Sequence, residues 1–420
     1  MQNATLWRGL LGVEKTVVEW VEFDEDEQLL VARVRPRRRA RGRCGRCGRP
    51  SPGYDRGEGL RRWRALDLGT VQVVLEADAP RVSCRQHGPT VAAVPWARHG
   101  AGHTYAFDEQ VAWLATQTSK SAVTQLMRIA WRTVGAIITR VWADVEALHD
   151  RFAGLRRIGI DEISYKRGHK YLTIVVDHDS GRLVWAAPGR DKATLGAFFD
   201  ALGEERCAAV THVSADGADW IAAVVADRCR NAVRCADPFH VVAWATDALD
   251  EVRRQAWNEA RGAVTQRRAG RASGHAKDLK GARYALWKNP DNLTELQQAK
   301  LAWVAKTDPQ LYRAYLLKEG LRLVFQLPHG EAVVALEKWI GWARRCRIEA
   351  FVKLQRTIVK HRHAILAAIE HGLSNGRIES VNTKVRLITR IAFGFRSPEA
   401  LIALAMLSLG GHRPALPGRN

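Results

Sequence analysis

The sequence predicts a multidomain α/β protein: a small β-rich metal-binding module, then a trio of helices, then an α/β sheet interrupted by a long all-helical segment. Three observations predict it. Cys44-x2-Cys47 and Cys84-x2-His87 bracket short β-leaning segments. Helical periodicity with two breaks runs from Phe107 to about His149. From Arg156, apolar runs of strand length alternate with turns and helices as far as Asp237, and from about Asp247 to Glu370 no strand pattern appears.

Charge narrows the class of partner. The 420-residue chain carries a formal net charge of +21 and a pI near 10.1, a field that attracts polyanions and repels basic partners. Nucleic acid is the first partner such a field suggests. Neither a signal peptide nor a membrane-spanning helix is expected from the sequence; Ala400–Leu409 is apolar but short, which predicts a buried helix. Seven cysteines, four of them scattered singly, do not resemble a disulfide framework, so a reducing, cytoplasmic setting is expected.

The N-terminal module is read from Leu29–Val34, Gly69–Leu75 and Pro80–Cys84 as strands, ending near Pro95. Zinc prefers four soft or borderline ligands in a tetrahedron, and two knuckles joined by a hairpin-sized segment supply Cys44, Cys47, Cys84 and His87. A closed set of four leaves no open catalytic position, so this Zn2+ is expected to be structural, folding a module too poor in core to fold alone. Between Arg33 and Arg64 stand thirteen arginines against only Asp55 and Glu58, a clustering that favours a phosphate-contacting surface over an ordinary solvated face.

In the helical stretch, Val111, Leu114 and Ala115 share one face and Val134, Ile137, Ile138 and Val141 another. The cluster Thr118-Ser119-Lys120-Ser121 supplies a cap for a second helix, Ser121–Arg128, and a third starts near Ala130. Three short helices with a tight turn, the last opening Trp131-Arg132-Thr133-Val134, resemble a helix-turn-helix, in which Arg132 and Thr133 would meet base edges.

Ile158-Gly159-Ile160 runs into Asp161, Tyr171–Val176 into Asp177, and Leu183–Ala187 follows the turn Asp179-Ser180-Gly181, which together read as a three-strand meander. Ala193–Leu202 and Trp220–Cys229 read as helices, Thr211–Ser214 as a strand leading to Asp216, and Ala232–Cys235 as one leading to Asp237. If the fourth strand lies beside the first, Asp161 and Asp216 emerge together where open α/β sheets bind ligands. Two close carboxylates repel unless a cation lies between them, and hard oxygen ligands select Mg2+ or Mn2+. Glu379, within Asn375-Gly-Arg-Ile-Glu-Ser-Val-Asn382 near a helix start, adds a third carboxylate, with Asn382 and Thr383 on its face. Three acids would hold two metals for an in-line phosphoryl displacement. Glu162 should face the other side of the sheet from Asp161.

Three segments then carry a resemblance: Asp161-Glu-Ile-Ser-Tyr-Lys-Arg-Gly-His-Lys-Tyr171; Asp237-Pro-Phe-His-Val241; and Arg377-Ile-Glu-Ser-Val-Asn-Thr-Lys384 followed by Gly394-Phe-Arg396. They resemble the DDE transposases of the ISL-three insertion-sequence family over nearly the whole chain. The resemblance implies a zinc-binding DNA-binding module at 1–95 and a helix-turn-helix at 105–150. It further implies an RNase H-like catalytic core at 155–246 and 371–412 and a helical insertion at 247–370; the tail at 413–420 is expected from its sequence to be disordered. It implies Asp161, Asp216 and Glu379 as the catalytic, metal-holding acids; Asp237, which also ends a strand, is the alternative second acid, Asn382 is a candidate active-site support, and His240 would either support the site near the scissile phosphate or cap the following helix. Lys384, Arg386, Arg390 and Arg396 surround the helix of Glu379 and are expected on DNA, and the tryptophans Trp257, Trp287, Trp303, Trp339 and Trp342 mostly in core.

The activity so implied is cleavage at the ends of a DNA element and joining of the freed 3'-hydroxyls to target DNA. The partners are double-stranded DNA, as terminal repeats and as target, and a second copy of the chain in a dimer or higher assembly, with no membrane. Two alternatives stay open: an RNase H-like nuclease or resolvase without strand transfer, and an inactive zinc-containing DNA-binding regulator.

Overall fold

The computed structural model describes residues 4–266, 271–373 and 376–419; Asn375, at the head of the stretch around Glu379, and Asn420 lie outside the described residues. The chain divides into two compact units, Met1–Asp150 with Ile388–Asn420, and Arg151–Leu387.

The first unit opens with α1 (Ala4–Leu10) and seven strands: β1 (Thr16–Asp24), β2 (Leu29–Pro36), β3 (Gly53–Asp55), β4 (Leu60–Leu68), β5 (Val71–Asp78), β6 (Arg81–Cys84) and β7 (Gly88–Val91). They form one sheet of order β1-β2-β5-β4 and a second of order β3-β6-β7. In β5, Val73, Leu75 and Ala77 alternate inward to meet Trp63, Val34 and Trp96, the alternation that buries one face of a sheet. The sequence reading found β2, β5 and β6 but not β1 or β4, because Glu and Arg at their solvent-facing positions dilute the apolar signal.

Helices α2 (Tyr105–Gln117), α3 (Lys120–Met127) and α4 (Trp131–Leu148) follow. Thr104 caps α2 by accepting from Phe107 N, and Ser119 caps α3 by accepting from Ala122 N at 3.1 Å, as the Thr118–Ser121 cluster predicted. Arg128 ends α3 in the left-handed region at φ 53°, which makes the tight turn into α4. Phe107, Val111, Val123, Val134, Ile137 and Ile138 are fully buried, and Asp108, also fully buried, accepts from Arg140 at 2.9 and 3.0 Å and from Arg98 at 3.3 Å. The final helix, α17 (Pro398–Leu409), packs against α4 and α2 and so belongs with this unit, whereas the sequence reading placed all of 371–412 in the catalytic core. Its apolar face is long enough to need a partner, and periodicity does not say which. Beyond it, Arg413–Arg419 contains no helix or strand.

The second unit is built on β8 (Arg157–Lys166), β9 (Lys170–Asp177), β10 (Leu183–Pro188), β11 (His212–Ala215) and β12 (Val233–Ala236), in the order β10-β9-β8-β11-β12. The first three pair antiparallel and β11 pairs parallel with both β8 and β12, the arrangement the RNase H-like expectation requires. Helices α5 (Lys192–Leu202), α6 (Glu204–Ala209) and α7 (Asp219–Arg228) bury Phe198, Phe199 and Ile221 against Ile158, Ile160 and Val213.

After β12 the described residues are helical: α8 (Pro238–Gln266), α9 (Arg271–Gly281), α10 (Arg283–Trp287), α11 (Glu295–Thr307), α12 (Pro309–Val324), α13 (His329–Arg345), α14 (Glu349–Lys360), α15 (Arg362–Glu370) and α16 (Gly376–Ile391). The helical segment has no break at 247, because α8 starts at Pro238 and runs straight through. Its core is continuous from Val241 and Leu249 to Phe351 and Ile365. Trp339 is buried and donates its indole N–H to Leu317 O at 2.7 Å, Trp257, Trp287 and Trp303 pack half-buried on that core, and Trp342 is exposed.

Candidate metal centres and nucleic-acid interface

Cys44, Cys47, Cys84 and His87 converge, with their ligand atoms all within 4.8 Å of one another; among the described residues no other group of three or more metal-ligating side chains does so. His87 Nδ1 lies 3.6 Å from both Cys44 Sγ and Cys84 Sγ, and Cys47 Sγ lies 3.7 Å from Cys84 Sγ. A tetrahedron with metal–sulfur bonds of about 2.3 Å has sulfur–sulfur edges of about 3.8 Å, so these separations fit zinc. Backbone N–H groups of Gln86 and His87 draw the Cys84 thiol down to about 6, which favours the thiolate that binds metal. Apart from the ligands, the surrounding core is little more than Val82 and Ala92, too small to hold β3, β6 and β7 by burial alone.

The arginine block around this centre divides in two. Arg33 meets Glu19, Glu76 and Asp78, Arg35 meets Glu19, Arg62 meets Glu76 and Arg64 meets Asp67, so these brace the sheet. Arg37, Arg38, Arg39, Arg43, Arg46 and Arg49 are exposed and enter no ion pair among the described residues; the first four line one cleft with Lys15. On α4, Arg132 is exposed and Thr133 half-buried at its first turn. Lys384, Arg386, Arg390 and Arg396 are all exposed.

In the second unit, Asp161 stands in the middle of β8 rather than at its end. What ends near it is the pairing with β11, which runs only from Arg157 to Gly159, so the carboxylate emerges where the neighbouring strand stops. Alternation puts Gly159 and Asp161 on one face and Ile158, Ile160 and Glu162 on the other. Glu162 accordingly bonds Arg190 at 2.7 Å on the far side. On the near side a Cβ at Gly159 would overlap Ile378, so this glycine lets α16 cross β8 closely. That crossing brings Asn382, 4% exposed, to donate from Nδ2 to Asp161 Oδ2 at 2.7 Å, while its Oδ1 is buried with no partner. Burial holds the Asp161 carboxyl above its ordinary range; the Glu162 N–H, Asn382 and His240 pull it back, and Asp216 pushes it further up.

Asp216 is half-buried just past β11, with Oδ1 accepting from Ala218 N at 3.0 Å and its carbonyl from Arg234 at 3.2 Å. Gly217 lies flat on Trp244, since any Cβ there would strike the indole. Asp237, one strand farther out and 2% exposed, has both oxygens engaged: Oδ1 accepts from Phe239 N at 3.1 Å and Oδ2 holds His240 Nδ1. That bond to Asp237 raises the His240 imidazole above its ordinary range, with Asp161 and Asp216 adding to the rise. Asp161, Asp216 and His240 thus share one electrostatic neighbourhood. Glu379 is exposed in the first turn of α16, three residues before Asn382, and does not converge with Asp161 and Asp216 into a cluster of metal-ligating atoms among the described residues.

Two supports were given no role in the sequence reading, although Arg377 opens one of the motifs. Arg377 donates to the carbonyls of His178 and, at 2.8 Å, Asp179, fastening the start of α16 to the end of β9. His178, 4% exposed, lies 2.6 Å through Nε2 from Ser214 Oγ, and burial pushes its imidazole down to about 4. The folded state therefore keeps His178 neutral while an unfolded chain protonates it near 6.5, so its contribution is intact above 6.5 and lost as pH falls toward 4. A fall of up to about 3 kcal/mol follows across that window. Urea denaturation of the second unit should show it, and His178→Asn should flatten the slope; an unchanged slope refutes the assignment.

Comparison with known proteins places the chain in a family. Residues 158–405 match the ISL3-family DDE model described as a transposase, residues 92–142 the helix-turn-helix domain of transposase family ISL3, and residues 40–87 the zinc-finger of transposase IS204/IS1001/IS1096/IS1165. The transposases for insertion sequence element IS1557 of two Mycobacterium tuberculosis strains, CDC 1551 / Oshkosh and ATCC 25618 / H37Rv, are each 67% identical over 437 residues, covering 100% of this chain and 98% of theirs. The transposase for IS1001 of Bordetella parapertussis is 27% identical over 403 residues, 95% of each chain. With a family match across more than half its length and such identity from end to end, the chain belongs to the ISL3 family of insertion-sequence transposases.

Proposed function

We propose that this transposase cleaves DNA at the ends of its element and joins the freed 3'-hydroxyls to target DNA at one centre made by Asp161, Asp216 and Glu379. The observation that supports the reading is the α16 crossing: Asn382 bonds Asp161 directly, and Glu379 precedes Asn382 by three residues on the same helix. The donor set is hard oxygen, which suits Mg2+ or Mn2+ held by these three acids. Such a cation supplies the Lewis acid for phosphoryl transfer. Asn382 fixes one oxygen of Asp161, the Gly217–Trp244 contact fixes the loop of Asp216, and Asp237, its oxygens committed, holds His240, which feels the charges of Asp161 and Asp216. His240, with its raised affinity for protons, would offer a positive N–H to a phosphate oxygen.

Arg132 and Thr133 would read base edges, and Lys384, Arg386, Arg390 and Arg396 would hold the strands. Zn2+ on Cys44, Cys47, Cys84 and His87 would be structural. Two element ends need to be held together, so a dimer or higher assembly is expected. A strand-transfer assay with pre-cut ends in Mg2+ or Mn2+ tests the reading: joined product is expected, and cleavage without joining would favour a nuclease or resolvase instead.

A further inference from the structure

The chain leaves α16 through an unusual turn. Phe393 N donates to Arg390 O at 3.0 Å and Gly394 N to Thr389 O at 2.8 Å, the closure that normally places glycine in the left-handed position. Here Phe393 occupies it at φ 52°, and the glycine comes one residue later, at φ 92°. A β-carbon in that conformation is unfavourable, and a residue kept there against its preference points to use. Phe393 gains nothing from burial to offset it, being 80% exposed.

The turn itself is anchored. Ala392 and Phe395 on either side are buried, and the Lys120 ammonium lies 5.1 Å from the Phe395 ring and 4.9 Å from the Trp131 ring. Phe393 is thus displayed from a turn linked through Lys120, which opens α3, to Trp131, the first residue of the helix expected to read DNA. Arg390, Ile391 and Arg396 beside it in sequence are exposed, and the two arginines enter no ion pair among the described residues. An exposed aromatic ring with flanking cations complements a nucleic-acid base between its phosphates.

We infer that Phe393 stacks on an unpaired or unstacked base of the bound DNA while Arg390 and Arg396 hold the adjoining phosphates. The inference rests on DNA as the partner and not on the three carboxylates. The test uses the full chain and two duplexes of one sequence, fully paired or carrying a single unpaired 2-aminopurine. Wild type should prefer the unpaired probe and quench its fluorescence. Phe393→Ala should lose that preference by roughly 5- to 150-fold, the size of one stacked base, while binding paired DNA as before. Phe393→Trp should retain it. Phe393→Gly should lose it yet melt a few degrees higher, since glycine relieves the left-handed position, so misfolding would not explain the loss. Equal binding of both duplexes by wild type, or an unchanged preference in Phe393→Ala, overturns the inference and leaves DNA binding standing. A shift from dimer to monomer in Phe393→Ala with probe binding intact would assign the ring to a second copy instead. Wild type that binds neither duplex would overturn DNA as the partner as well.

Discussion

Asp216→Asn is expected to abolish metal-dependent cleavage and joining, by roughly 10²- to 10³-fold or more, while DNA binding persists. Asp237→Asn is expected to behave differently, although both acids follow neighbouring strands of one sheet. The carboxylate of Asp237 is 2% exposed and spent on Phe239 N and His240 Nδ1, whereas Asp216 is half-buried and couples to Asp161. Its loss should slow the reaction about 10- to 100-fold, the usual effect of removing a residue that orients another. Because the bond to Asp237 is the main cause of the raised His240 pKa, the alkaline limb of the pH–rate profile should also move to lower pH. Calorimetric titration with Mn2+ separates the two without relying on activity. Asp216→Asn should lose binding and Asp237→Asn keep it. The opposite pattern would make Asp237 the second metal-holding acid.

The second large effect concerns the zinc centre. Chelation, or Cys44→Ser, should unfold the sheet of β3, β6 and β7, because zinc binding of about 10–16 kcal/mol in comparable small modules is also their folding energy. Apolar burial here cannot substitute, since the local core holds little besides the ligands themselves. Hydrogen exchange before and after chelation is the measurement. Amides of Ser83 and Ala92, bonded to Pro52 O and Pro80 O at 2.9 Å, should lose protection, while those of β8 and β9 keep it. Retained protection at Ser83 and Ala92 would show that the module does not depend on metal.

How much of this was legible depended on range. Cys44, Cys47, Cys84 and His87 could be read as one ligand set because knuckle spacing is local, though not that His87 would turn Nδ1 inward. The meander, both later strands and the turn at Asp179–Gly181 were legible for the same reason: alternation and turn chemistry act within a few residues. Asp161 was misplaced at a strand end because its apolar run stops there, while β8 continues to Lys166 through pairing with β9. A strand held by its neighbour needs no apolar sequence of its own.

The sequence alone determined the metal-binding motifs, the positive field, the three helices after the N-terminal module and the five strands of the second unit, all of which follow from composition and short-range pattern. Only the tertiary structure decided which groups meet. The glycine at 159 admits α16 and so joins Asn382 to Asp161 across more than two hundred residues. Packing on α4 carries α17 to the N-terminal unit. Burial and two hydrogen bonds commit Asp237 to His240. These outcomes rest on contacts between distant segments, whose free energy depends on shape and desolvation at the point of meeting, and no local pattern encodes that.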